Sequence, residues 1–331
     1  LYEESRPSVA ENREAAYPVY QFSDYCTEDE QTIAMLETAR RISLTDYSVL
    51  IHGEAGTGKK ILAHAIHSNS SRSKQPFLKL SLASMDEETA AQAFASLTEA
   101  AKTEQTTPGG TLFLDSVHCL SLPLQRNLLY FLDQKPDIRL IASTSEDLFE
   151  KYRNKEFIEE LFFRLSEVSL QTWPIRRRPG DIPLLLETTL RNIYNNPLLS
   201  LGELCTEALL KNLMDYEWPG NGREIENLCK YFYCVKTGRK LMSRDLPPYI
   251  RKQIAARKEK LTPVERQILE LIYKNPGTGR TKLCQMIANG GTETSEGKLR
   301  GHLQSLADRG YIKMNRTRGG CEITEDGILL L

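Results

Sequence analysis

Two short stretches carry residue types that can do chemistry. "GEAGTGKK" (residues 53–60) fits the spacing G-x-x-x-x-G-K. In that pattern glycines let backbone N–H groups wrap a phosphate, and the N-terminus of a following helix adds a positive dipole. A lysine, here Lys59, reaches the β- and γ-phosphates of a nucleotide. Gly53, Glu54, Ala55, Gly56, Thr57, Gly58, Lys59 and Lys60 are therefore the candidate phosphate-binding residues. The second stretch is "GGTLFLDSVHCL" (109–120), a β-branched and aromatic run that enters through two glycines and ends on Asp115. A buried central strand of this kind delivers one carboxylate to the edge of a parallel sheet, where magnesium can be held. Asp115 is the candidate ligand if that ion is bound. The next residue, where hydrolysis calls for a water-orienting glutamate, is Ser116. Lys60 stands where most such loops use Ser or Thr to touch the metal. Nucleotide binding is expected; efficient hydrolysis is not.

The elements that must position these residues follow from periodicity. A helix is expected over about 30–43, a strand over 48–52, the glycine loop over 53–58 and a helix over 59–69. Strands at 77–82, 111–115 and 138–144 alternate with helical stretches near 86–102 and 121–133. Such alternation implies a parallel, three-layer α/β domain. From about residue 180 strands stop, and "DIPLLLETTLRNIYNN", "CTEALLKNLMDYEW" and "GREIENLCKYFYCV" all have helical spacing. The expected organisation is a linker (1–20), an α/β nucleotide-binding subdomain (21–175), a helical lid (176–243), a Pro-broken charged connector (244–260) and a third unit (261–331).

Composition bounds the function classes. With 331 residues, 40% apolar and 26% charged, the chain suits two or three soluble globular domains. No apolar run approaches the roughly 20 residues that cross a bilayer, and no signal-peptide pattern is read, so no membrane partner and a cytoplasmic setting are expected. The chain begins at Leu1 rather than Met, and a sensor segment upstream is expected. The seven cysteines are scattered without a C-x-x-C pair, which reads as reduced thiols. "HAIH" (His64, His67) lacks the glutamate of a zinc-protease motif and reads as structural. From Arg251 to Leu331 there are 15 Lys and Arg against 9 Asp and Glu, whereas the remainder carries 28 against 35. A basic C-terminal piece on an acidic body points toward nucleic acid.

The phosphate loop, "GGTLFLD", "IASTSEDL", "FIEELFFRLSEV", "RRRPGDIPLL" and "WPGNGREIENL" occur in one order and spacing. Together they resemble the AAA+ domain of bacterial enhancer-binding proteins, the activators of sigma-54 RNA polymerase, over about residues 21–240. The resemblance implies ATP or ADP as ligand and self-association into an oligomer. Lys59 would be the Walker A lysine and Asp115 the Walker B aspartate. Thr144 and Ser145 fall on the sensor I position, usually Thr-Asn. Arg164 falls on the second of two arginine-finger positions, and the first is Ile158 here. Arg223 in "GNGRE" matches sensor II. For each arginine a surface ion pair is the alternative. Ser116, Ser145 and Ile158 all depart toward slow or absent turnover; an arginine finger alone can supply about 10³–10⁵ in rate. The family's "GAFTGA" loop, which pushes on sigma-54, has no counterpart in "LASMDEETAAQAFASLTEAAKTEQTTPG" (82–109). Remodelling of sigma-54 polymerase is therefore not expected.

In the third unit, "LTPVERQILELIYKNPG" places Val264, Ile268, Leu271 and Ile272 at helical spacing, and "GRTKLCQMIANGG" supplies a second helix. "SEGKLRGHLQSLADRGYI" sets Lys298, Arg300 and His302 off an apolar stripe of Leu299, Leu303 and Leu306. Two short strands around "NRTRGG" follow. Three helices and a basic hairpin resemble a winged-helix domain. The third helix would enter the major groove of DNA, and Arg316 and Arg318 of the wing would contact backbone or minor groove. A wing used for protein contacts is the alternative. The expectation is thus a DNA-binding transcription regulator with a disarmed AAA+ module, DNA as partner and RNA polymerase as a further one. An active AAA+ ATPase that remodels a protein or nucleic acid is the rival.

Overall fold

The computed structural model describes residues 20–102, 109–235, 238–257, 261–289, 295–315 and 320–331. It divides into two units, residues 1–181 with 218–224, and residues 182–217 with 225–331.

The first unit is a three-layer α/β domain. Its strands are β1 (Val49–His52), β2 (Phe77–Ser81), β3 (Thr111–Asp115), β4 (Arg139–Thr144) and β5 (Val168–Gln171), in the order β2-β3-β4-β1-β5. Every pairing is parallel. Helices α1 (Glu30–Ser43), α2 (Lys59–Ser68), α3 (Glu87–Lys102), α4 (Leu122–Asp133), α5 (Leu148–Arg153) and α6 (Glu159–Leu165) cover the two faces. Strand alternation shows why both faces need cover. Leu112 and Leu114 join Leu50, Phe94, Leu128 and Leu161 in one core. Phe113, between them, joins Ile51, Leu62, Ile66 and Ile141 in the other. Each such side chain contributes about 1.5–3 kcal/mol of burial. Expected and observed elements agree to within a residue or two, except that the patterning does not announce α5, α6 or β5. In "VSLQ" only Leu170 is buried, as suits an edge strand.

The "HAIH" histidines are structural. His64 packs its ring 4.0 Å from the centroid of Phe77, and His67 shares a 2.9 Å hydrogen bond with Thr111. All seven cysteines are free thiols. Among the described residues no group of three His, Cys, Asp or Glu side chains could hold a metal, and no helix is long and apolar enough to cross a membrane.

The second unit is helical. It holds α7 (Asp181–Tyr194), α8 (Leu201–Leu204), α9 (Glu207–Met214) and α10 (Asn221–Val235), whose first residues, up to Glu224, belong to the first unit. The stretch expected as a connector carries a helix, α11 (Pro248–Arg257), with Ile250 and Ile254 buried one turn apart. Then come α12 (Pro263–Lys274), α13 (Arg280–Asn289) and α14 (Glu296–Asp308). They share a core of Ile268, Leu269, Ile272, Leu283, Leu299, Leu303 and Leu306. An antiparallel pair, β6 (Ile312–Met314) and β7 (Cys321–Ile323), follows the three helices. A last short helix, α15 (Glu325–Ile328), takes up residues beyond the expected strands. Helix α12 is fixed at its start by a capping box between Thr262 and Glu265, whose carboxylate also pairs with Arg309 at the end of α14.

Candidate nucleotide site and nucleic-acid face

Because the five strands are parallel, their C-terminal ends share one edge, and the residues singled out from the sequence gather there. The glycine loop leaves β1, and Asp115 and Thr144 end β3 and β4. Gly56 needs to be glycine twice over. Its φ is +79°, and a Cβ would lie 2.4 Å from the carbonyl oxygen of Gly220. The "GNGRE" turn thus packs directly on the loop. Gly222 N–H donates to Gly56 O (3.0 Å), and Asn221 donates from Nδ2 to Ala55 O (3.0 Å) and Glu54 Oε2 (3.3 Å). Asn221 Oδ1 accepts from Ile175 N–H at 2.9 Å. Glu54 also takes both terminal nitrogens of Arg176, at 2.8 and 2.5 Å. Those bonds hold its carboxyl below the ordinary range. Lys59 Nζ donates to Gly53 O (2.5 Å) and Glu54 O (2.9 Å). Burial pushes its pKa down to about 8, Arg223 adds to the shift, and Asp115 and Glu54 oppose it. Lys59 therefore feels the charges of both Asp115 and Arg223.

Around Asp115 the structure adds two residues that sequence reasoning missed. Ser143 Oγ donates to Asp115 Oδ1 at 2.7 Å, and Lys79 Nζ pairs with Oδ2 at 3.3 Å. Strand register accounts for both. Ser81 lies beside Asp115 across β2–β3, with Lys79 two residues earlier on the same face, and Ala142 lies beside Leu114 across β3–β4, with Ser143 next. Lys60 feels the charges of both Lys79 and Asp115. This donor set does not suit the magnesium for which Asp115 is the candidate ligand. Lys60 offers no acceptor, and the Lys79 ammonium on Asp115 Oδ2 competes with a cation for that carboxylate.

Ser116 leaves β3 in the left-handed region (φ +71°), and its N–H donates to Ser143 Oγ at 3.1 Å. His118, two residues on, faces the sensor I position. Its ring nitrogens lie 3.3 Å from Thr144 Oγ1 and 3.2 Å from Ser145 Oγ. Burial lowers the pKa of His118, Glu146 opposes the shift and Lys151 adds to it.

Arg164 is not among these groups. It lies on α6 in ion pairs with Asp133 (2.7 Å) and Glu160 (2.5 Å), at the rim of an open hollow that Ile158 and Phe163 also line. In the second unit, Leu299, Leu303 and Leu306 of α14 turn into the core, leaving Lys298 and Arg300 exposed and His302 half-buried. Arg316 and Arg318 lie outside the described residues.

Comparison with known proteins agrees with this geometry. Residues 25–171 match the sigma-54 interaction domain, and residues 176–263 match the AAA+ ATPase lid domain. YplP of Bacillus subtilis, a proposed sigma L-dependent transcriptional regulator, is 32% identical over 306 residues, covering 88% of this chain and 89% of YplP. The DNA-binding transcriptional regulator NtrC of Proteus hauseri is 32% identical over 271 residues, and there the match spans 75% of this chain but 56% of NtrC. Among solved structures, NtrX from Brucella abortus, determined with ATP and with ADP, shares the fold. Its TM-score is 0.59 at 22% identity, covering 85% of this chain and 68% of NtrX. The chain belongs to the family of AAA+ transcription regulators built on the sigma-54 interaction domain.

Proposed function

We propose that this chain is a DNA-binding transcription regulator of the cytoplasm whose AAA+ module binds ATP or ADP but turns it over very slowly or not at all. The observation that carries the reading is Ser116 at the exit of β3, where the glutamate that orients water would stand. Ser145 and Ile158 remove further groups that would position water or stabilise transferring charge. Nucleotide then acts as a ligand that favours self-association, with Arg164 reaching the site of a neighbouring copy. Output passes through the winged helix, with Lys298, Arg300 and His302 of α14 and Arg316 and Arg318 of the wing on DNA. The lack of a "GAFTGA" sequence between Ser81 and Gly109 supports a route other than remodelling sigma-54 polymerase, with RNA polymerase met at other promoters.

The test is ATP turnover with magnesium at protein concentrations that permit assembly, beside an ATP-binding titration and a Ser116→Glu variant. Binding without turnover is the expected result. Robust wild-type turnover refutes it. One observation favours the rival, an active ATPase. The imidazole of His118 beside Thr144 and Ser145 has the chemistry of a general base. If turnover is found and His118→Ala abolishes it, that reading holds.

A further inference from the structure

We propose that the site takes nucleotide phosphates without a divalent cation, the ammonium groups of Lys60 and Lys79 standing where related sites place magnesium. The inference rests on the nucleotide-binding reading above and concerns how the phosphates are neutralised. Magnesium in such a site needs oxygen ligands in near-octahedral geometry, usually a loop hydroxyl, a strand-end carboxylate, waters and the phosphates themselves. Here the hydroxyl position is Lys60, a donor with no lone pair to give. The carboxylate is engaged on both oxygens, Oδ1 by Ser143 at 2.7 Å and Oδ2 by Lys79 at 3.3 Å. Neither partner is loosely held on the surface, since the Lys79 side chain is 17% exposed and that of Asp115 24%.

The charges point the same way. Lys59, Lys60 and Lys79 set against Asp115 leave two positive charges at the strand edge. One lysine, one Mg²⁺ and one aspartate leave the same. A magnesium ion entering here would add two positive charges beside those of Lys60 and Lys79, and would compete with Lys79 for Asp115. Metal-free ATP or ADP, by contrast, offers non-bridging oxygens to all three lysines at once.

The experiment is calorimetric titration of the full chain with ATP, once in EDTA and once in millimolar Mg²⁺. ATP is expected to bind in EDTA at least as tightly as in Mg²⁺, because the cation must leave the nucleotide before it seats. The Lys60→Thr/Lys79→Ala double variant, which restores a hydroxyl and frees Asp115, should invert this and bind at least about tenfold more weakly in EDTA than in Mg²⁺. Wild-type binding weaker in EDTA by more than about threefold overturns the metal-free proposal and leaves the nucleotide reading intact. No binding in either buffer overturns both.

Discussion

Asn221 offers the sharpest test of how the "GNGRE" turn supports the phosphate loop. It is fully buried and makes three hydrogen bonds: it accepts from Ile175 N–H and donates to Ala55 O and Glu54 Oε2. Asn221→Ala deletes all three. The buried Ile175 N–H loses its partner at about 1–3 kcal/mol, and the two partly buried bonds contribute about 0.5–1.5 kcal/mol each. Asn221 also sits at φ +50°, where alanine costs about 1 kcal/mol more than asparagine or glycine. A loss of about 3–5 kcal/mol is expected, allowing for non-additivity among neighbours. Asn221→Gly removes the same bonds but keeps the backbone comfortable, so it should recover about 1 kcal/mol relative to alanine. Urea unfolding followed by tryptophan fluorescence suits the purpose, because Trp218 is fully buried three residues away. A parallel ATP titration reads the loop, whose Ala55 carbonyl and Glu54 carboxylate lose their tie. Stability within about 0.5 kcal/mol of wild type together with unchanged ATP affinity would refute the reasoning.

Further expectations concern separate parts of the molecule. Gly56→Ala, with its added Cβ 2.4 Å from Gly220 O, should abolish ATP binding in the same titration while α12–α14 stay folded by circular dichroism. Burial, aided by the charge of Lys60, pushes His64 down to about 4 from an ordinary 6.5. The unfolded chain therefore takes up the proton first. Stability is full above about pH 6.5 and falls by up to about 3 kcal/mol as pH drops toward 4, and His64→Phe should flatten that slope in urea titrations. Glu265→Ala removes the carboxylate of the capping box at Thr262 and the partner of Arg309, and should lower the stability of the C-terminal helices by roughly 2–4 kcal/mol in thermal melts. If α14 lies on DNA, Lys298→Ala/Arg300→Ala should lessen the dependence of log K on log salt by about two, and an unchanged slope counts against that helix.

What the sequence made legible was whatever is local. The glycine loop, the buried run of β3 and the apolar stripe of α14 each declare themselves within a dozen residues, because backbone freedom, two-residue alternation and helical spacing are properties of a short window. The partners of Asp115 are not. Lys79 reads as an odd charge inside "FLKLSL" until parallel register sets β2 beside β3, and Ser143 reads as filler in "IAST" until β4 takes the other side. Neither adjacency is encoded in either segment alone. His118 escaped notice because a 3-10 turn after Ser116 swings it toward Ser145. Asn221 sat in plain view inside a quoted motif, yet its positive φ and buried bonds appear only once the turn meets the loop.

The stretch 244–260 carries the largest consequence of this kind. Its prolines and charges read as a charged connector between domains. The structure gives it helix α11, and partly buried polar bonds also tie α15 to the lid helices. Glu325 accepts from Thr206 Oγ1 (3.0 Å) and from the N–H (3.1 Å) and Oγ (3.3 Å) of Ser243. Asp326 accepts from Asn212 Nδ2 at 2.9 Å, and Asn212 itself is 5% exposed. Hydrogen bonds to charged acceptors contribute roughly 1.5–3 kcal/mol each when shielded, and less where water reaches them as it does here. The C-terminal helices and the lid should therefore unfold as one cooperative body. A double-mutant cycle on Asn212→Ala and Asp326→Ala should return a coupling of about 1–2 kcal/mol. Strict additivity of the two would mean that this contact contributes nothing to joining α15 to the lid.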